Sequence, residues 1–98
     1  MDILFNAPDY EKSEVIFGDP SYFGSSPSVF RNIQYTPSKS GFILSQIENA
    51  RHGIVVNNSV RCVITGNYAS CIFIPISKGD TIEFTGAHYA IFIPCKER

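Results

Sequence analysis

The chain has 98 residues, 44% of them hydrophobic, 17% charged and 13% aromatic, with a formal net charge of −1 at pH 7. A chain of this length encloses one core rather than two, and this balance of apolar and charged residues belongs to a folded domain, not to a disordered segment. Eight scattered Lys and Arg against nine Asp and Glu exclude the concentrated positive charge that duplex nucleic acid demands.

No run of about 18 consecutive apolar residues occurs, so no membrane insertion is expected. Asp2 stands where a secretory signal would carry basic residues. The apolar residues are mostly Ile, Val, Phe and Tyr, which suit a pleated, half-buried surface. Leucine appears only at Leu4 and Leu44, too few for a helical bundle.

Taken in chain order, Met1–Asn6, Glu14–Phe17 and Val29–Tyr35 are candidate strands joined by loops rich in proline (Pro8, Pro20, Pro27, Pro37). Residues 1–12 are expected to serve as an arm or attachment segment on a single domain covering 1–98. Beyond residue 40 the candidates are Gly41–Glu48, Gly53–Val56, Ser59–Thr65, Ser70–Ile76, Asp80–Thr85 and His88–Pro94. Turn signals recur every ~8–12 residues, the pattern of an all-β antiparallel sandwich or closed barrel. Asn57-Asn58 predicts a tight hairpin, because asparagine tolerates the left-handed backbone of a type I′ turn. Gly79, in Ser77-Lys78-Gly79-Asp80, is expected at positive φ. In Thr81–Thr85, Ile82 and Phe84 alternate inward against Thr81, Glu83 and Thr85. A helical turn or two is conceivable only at Ser45–Arg51.

Two segments break the usual alternation. In Cys71–Ile76 both alternating sets are apolar: Cys71, Phe73 and Pro75 against Ile72, Ile74 and Ile76. In Tyr89–Pro94, Tyr89, Ile91 and Ile93 oppose Ala90, Phe92 and Pro94. One face of an antiparallel strand meets its own core, so the second apolar face needs another cover. That cover is either a second subunit or the N-terminal segment laid over central strands. A domain this small also gains stability from association. Ile72, Ile74, Ala90 and Phe92 are the candidate subunit-interface residues.

The chemistry of an enzyme is not apparent, and no catalytic, cofactor or metal residue is assigned. His52 and His88 lack a second strong ligand at metal-binding spacing. Asp80 and Glu83 fall on opposite strand faces, which separates them as an acid–base pair. Cys62, Cys71 and Cys95 sit in or at the end of apolar runs, where reduced, protected thiols are expected. A Cys62–Cys71 bridge is the alternative if their strands are neighbours. Tyr22, Phe23 and Tyr68 lie among Gly, Ser and Asn, a composition used at binding surfaces, and are the candidate surface-binding residues. Such aromatics also commonly pin a loop to its own core.

The order of several short motifs resembles the small jelly-roll head or tip (knob) domains of bacteriophage fibres. The residues are Pro8-Asp9-Tyr10, Tyr35-Thr36-Pro37, Gly41 with its strand, Asn57-Asn58, Ile74-Pro75-Ile76-Ser77-Lys78-Gly79-Asp80-Thr81 and Phe92-Ile93-Pro94-Cys95-Lys96. The resemblance implies a jelly-roll-like β-sandwich, assembled as a homotrimer, made in the host cytoplasm and carried on the virion. Its partners would be further copies of itself, other virion proteins, and a bacterial surface glycan or protein. Because no fibrous shaft or collagen-like repeat stands ahead of the domain in this sequence, the expectation is a stand-alone subunit docked on other virion proteins through Met1–Asn6 or the chain's base. The competing reading is a monomeric cellular carbohydrate- or protein-binding β-sandwich module, to which the doubly apolar strands are poorly suited. A small enzyme is a third class, disfavoured by the missing polar constellations.

Overall fold

A computed structural model describes residues 7–21, 29–47, 52–64 and 70–96. The fold is all-β and antiparallel. Its strands are β1 (Glu14–Gly18), β2 (Phe30–Tyr35), β3 (Gly41–Ile47), β4 (His52–Val56), β5 (Ser59–Ile64), β6 (Ser70–Ile76) and β7 (Ile82–Pro94). The helical structure among the described residues is a 3-10 turn, Tyr10–Lys12. The expected strand at Met1–Asn6 lies outside the described residues; of the helical turn conceivable at Ser45–Arg51, residues 45–47 are instead the end of strand β3, and 48–51 lie outside the described residues.

All seven strands belong to one open sheet, and β7 is its centre. Thr85 pairs with Gly53 of β4 and Arg31 of β2, while Ala87 pairs with Ile47 of β3 and Phe30 of β2. β3 and β4 therefore follow one another along one edge of β7, with β2 opposite both. β1 continues the β2 edge, pairing with β7 from Gly18↔Tyr89 to Glu14↔Phe92. β6 then pairs outside β3, and β5 outside β4. The result is four long antiparallel lines, β1–β2, β7, β3–β4 and β5–β6, three of them interrupted near their middle.

β7 joins what the sequence presents as two strands, Asp80–Thr85 and His88–Pro94. Its core-facing residues are Ile82, Phe84, Ala87, Ala90 and Phe92, at spacings of two, three, three and two. The pairings skip Gly86 and His88, so each marks an extra residue in the strand. Gly86 has φ +87°, a value open to glycine at no steric cost. Extra residues of this kind bend and twist a strand. The bend is large: Tyr35, paired with Ile82, has its ring 5.8 Å from that of Phe92, although ten residues of straight strand span about 33 Å.

Side-chain hydroxyls support the backbone beside the bend. The buried Ser45 donates its Oγ–H to the Tyr89 carbonyl at 2.6 Å. The Thr85 hydroxyl accepts from the Gly53 N–H at 2.9 Å and donates to the Gly53 carbonyl at 3.0 Å. The N–H and C=O of one strand residue point to the same side, so this hydroxyl stands in for β7 backbone next to Gly86.

At the other end, two short connections, 36–40 and 77–81, join the halves of the bent sheet. The Gly79 N–H donates to the Pro37 carbonyl at 3.0 Å, and the Lys78 N–H to the Ser40 hydroxyl at 3.2 Å. Gly79 has φ +85°, and Asn57 and Asn58 have φ +51° and +65°, as their turn chemistry requires. Asn57 does more than turn the chain. Its side chain donates to Asp80 Oδ1 at 2.9 Å and accepts from the Thr81 N–H at 2.8 Å. The Asp9 N–H donates to the Pro94 carbonyl at 2.8 Å, and Pro8 bridges Cys95. Residues 7–12 thus lie against the end of β7.

The core draws on both halves. Ile43, Ile47, Ile54, Ile82, Phe84, Ala87 and Ala90 are fully buried, and the Phe17 ring meets Phe84 edge-on at 5.2 Å. Ile82 and Phe84 point inward as their alternation predicts.

Candidate functional site

β1, the second half of β7, β3 and β6 form one half of the sheet, and each strand has a residue set turned away from the core. The pairings set these residues in rows. Val15, Ile91, Leu44 and Phe73 form one row across the four strands. Ile93, Phe42 and Pro75 form the next, and Tyr89, Gln46 and Cys71 a third. No member of these rows is a charged residue at neutral pH. The Phe42 and Phe73 rings stack at 5.0 Å and 10°, and Val15 and Phe73 are 55% and 44% exposed. Cys71 and Pro75 are also exposed, Phe42, Leu44 and Ile91 are half-buried, and Tyr89 and Ile93 are buried.

The other half presents a different outer surface. There Gln34 and Val55 flank Glu83, and Arg31 and Gly53 flank Thr85. Within β7 the outward residues change from Glu83 and Thr85 to Tyr89 and Ile91 across the bend. One outer face is polar, the other apolar.

The four interface candidates from the sequence all belong to the inward set. Ala90 and Phe92 are 0% and 4% exposed within the core, and Ile72 and Ile74 pack against it half-buried. The outward apolar residues are their alternates, with Phe42 and Leu44 of β3 added. β3 is doubly apolar as well: Phe42 and Leu44 alternate with Ile43, as happens in β6 and β7. β6 is an edge strand, so the picture of a covered central strand does not apply to it.

The thiols also require correction. Cys71 is free and exposed, and Cys95 is free and half-buried, because Cys71 belongs to the outward set of an edge strand. No Cys62–Cys71 bridge forms, and the Cys62 side chain lies outside the described set. Cys71 Sγ lies 3.8 Å from the Tyr89 hydroxyl. Burial, followed by the hydrogen bond and charge of Cys71, raises the Tyr89 pKa above its ordinary value.

Tyr22, Phe23 and Tyr68 lie outside the described residues. His88 is skipped by the ladder, and its Nδ1 is buried with no hydrogen-bond partner among the described residues. Among those residues no group of three or more His, Cys, Asp or Glu side chains converges. Asp80 is occupied in the turn, its Oδ2 accepting from the Ser77 N–H at 2.8 Å.

No protein-family model, curated protein or solved structure matches this chain.

Proposed function

We propose that this chain is a non-catalytic, self-assembling β-domain of the phage-fibre head or tip type. In this reading it is a homotrimeric virion subunit that contacts other virion proteins or a bacterial surface glycan or protein. The observation that carries the proposal is the sidedness of the sheet. Val15, Phe42, Leu44, Phe73 and Ile91 lie on one outer face, while Gln34, Glu83 and Thr85 lie on the outer face of the other half. A contiguous apolar face rimmed by polar surface is characteristic of a protein contact.

The bent sheet is read as the two layers of a jelly-roll-like β-sandwich. The Tyr35–Phe92 ring contact and the short connections 36–40 and 77–81 support this. The segments behind the fibre-head resemblance also gather at one end, through hydrogen bonds from Asp9 to Pro94, Gly79 to Pro37 and Asn57 to Asp80. Such motifs, far apart in sequence, then serve one architectural purpose, which favours reading them as a set.

Light scattering on the full chain at micromolar concentration tests the assembly. The expected result is three times the 10.9 kDa chain mass. A stable monomer would refute it and favour the monomeric carbohydrate- or protein-binding module.

A further inference from the structure

We infer that residues 7–13 form an arm that opens from the sheet and is exchanged between copies of this chain, residues 7–9 of one copy pairing with residues 94–96 of another; this rests on the self-assembly just proposed and names what links the copies. The arm is lightly held. None of its residues is buried, and Tyr10 is 64% exposed. Among the described residues, two backbone hydrogen bonds tie it to the end of β7, from the Asp9 N–H to the Pro94 carbonyl and from the Lys96 N–H to the Ala7 carbonyl, both at 2.8 Å. It borders a hollow of about 500 Å³ lined by residues 7–11 and Lys96. Lifting the arm therefore takes no packed side chain out of the core, and segments of this kind open at far lower free energy than the whole fold.

The turn that follows can act as its hinge. From Pro8↔Cys95 to Glu14↔Phe92 the outer chain advances six residues and its partner only three, and the 3-10 turn Tyr10–Lys12 takes up the surplus. That turn closes on itself, the Lys12 N–H donating to the Asp9 carbonyl at 3.1 Å and the Ser13 hydroxyl to the Tyr10 carbonyl at 2.7 Å. A few such residues at the end of an element are enough to absorb a change of direction, so residues 7–9 can swing away while β1 keeps its register on β7.

The edge they leave stays in place. On its opposite side the Cys95 N–H donates to the Ser40 carbonyl at 3.1 Å, and Pro94 pairs with Gly41, so the Pro94 carbonyl and the Lys96 N–H remain aligned for another strand. Residues 7–9 show what fits them, since they make these bonds within one chain. The same segment of a second copy makes the same bonds, and exchange of an identical element is a low-cost route to assembly. Pro8 limits each edge to one arm. The two bonds bracket the pair Pro8–Cys95, which turns the Pro8 nitrogen away from β7, and proline offers no donor to a further strand. Each copy then gives one arm and takes one, which closes a dimer or a ring.

The test exploits that pair. Residues opposed in this way have Cα atoms about 4.5 Å apart, within reach of a disulfide. The full chain carrying Pro8→Cys, with Cys62→Ala and Cys71→Ser to remove the other thiols, is oxidised with oxidised glutathione at high and at low concentration. Non-reducing denaturing electrophoresis then shows whether the bond to Cys95 lies within one chain or between chains. Circular dichroism checks the fold and light scattering the mass. Amide hydrogen exchange on the unmodified chain gives a second readout that does not depend on the variant folding. The expected result is disulfides between chains in the assembled protein and within chains on dilution to monomer, with the Asp9 and Lys96 amides of the dilute chain exchanging at least about tenfold faster than that of Cys95.

Disulfides confined to single chains in a protein that is still assembled would overturn arm exchange and leave self-assembly intact. Asp9 and Lys96 amides that exchange as slowly as that of Cys95 in the dilute chain would overturn the opening on which the exchange depends. A wild type that stays monomeric at every concentration would overturn both proposals.

Discussion

Thr85 offers the sharpest test of how the bent sheet is held. Its hydroxyl occupies both the N–H and the C=O of the buried Gly53, at 2.9 and 3.0 Å. Thr85→Val keeps the shape and the strand propensity of the side chain but puts a methyl group against two backbone polar groups. Leaving a buried donor or acceptor unpaired costs about 1–3 kcal/mol. Thr85 is half-exposed, so water relieves part of this, and a total of about 2–4 kcal/mol is expected. That is a substantial share of the 5–15 kcal/mol by which small domains are stable. With a urea slope near 2 kcal/mol/M, the unfolding midpoint should fall by roughly 1–2 M. Thr85→Ser retains the hydroxyl and should lose less than about 1 kcal/mol. The reasoning fails if Thr85→Val unfolds within about 0.5 kcal/mol of wild type, or if Ser is as damaging as Val.

Two further outcomes follow from the same packing. A Cβ at Gly41 would overlap the Ile93 carbonyl oxygen and approach Phe92 Cζ to 2.8 Å, so Gly41→Ala should destabilise by about 1–3 kcal/mol, measured by urea unfolding; an unchanged midpoint would refute the crowding. Burial, and then the nearby Glu14, raise the Tyr35 pKa, so the folded chain holds that proton more tightly than the unfolded chain does. Its contribution is complete below the unfolded pKa of about 10 and is lost as pH rises through the folded value. Unfolding midpoints measured across the alkaline range should therefore fall less steeply in Tyr35→Phe, and equal slopes would sink the assignment.

Local chemistry made much of the sheet readable in advance. The Asn57-Asn58 turn, positive φ at Gly79 and the inward pair Ile82 and Phe84 all follow from residues adjacent in the chain. Gly86-Ala87 did not read correctly, because a glycine between two alternating runs looks the same in a turn as in a bulge. The distinction lies in β2, β3 and β4, which pair on both sides of Gly86. The outward apolar face was half readable. Cys71–Ile76 declares two apolar sets, but register with β3 decides that Ile72 and Ile74 face the core while Phe73 does not. The exposure of Cys71 was missed for the same reason, since apolar neighbours in sequence do not say which face of an edge strand a thiol occupies.

The central position of β7 also governs how the chain must fold. This strand follows in chain order every strand it joins, so β1 to β4 leave the ribosome before their shared partner exists. Until then, of the described pairings, the β4–β5 hairpin and the β3–β6 contact are those open to the chain. The inward faces of Ile43 and Ile54 meanwhile stay wet. Pairing Glu14 with Phe92 closes nearly the whole chain into one loop, and topologies dominated by such distant contacts fold slowly. A nascent chain stalled before Ile82 holds strands without a centre, a state in which exposed apolar surface and unpaired edges favour aggregation. Emergence of the thirteen-residue β7 is the event that joins these pieces into one cooperative unit.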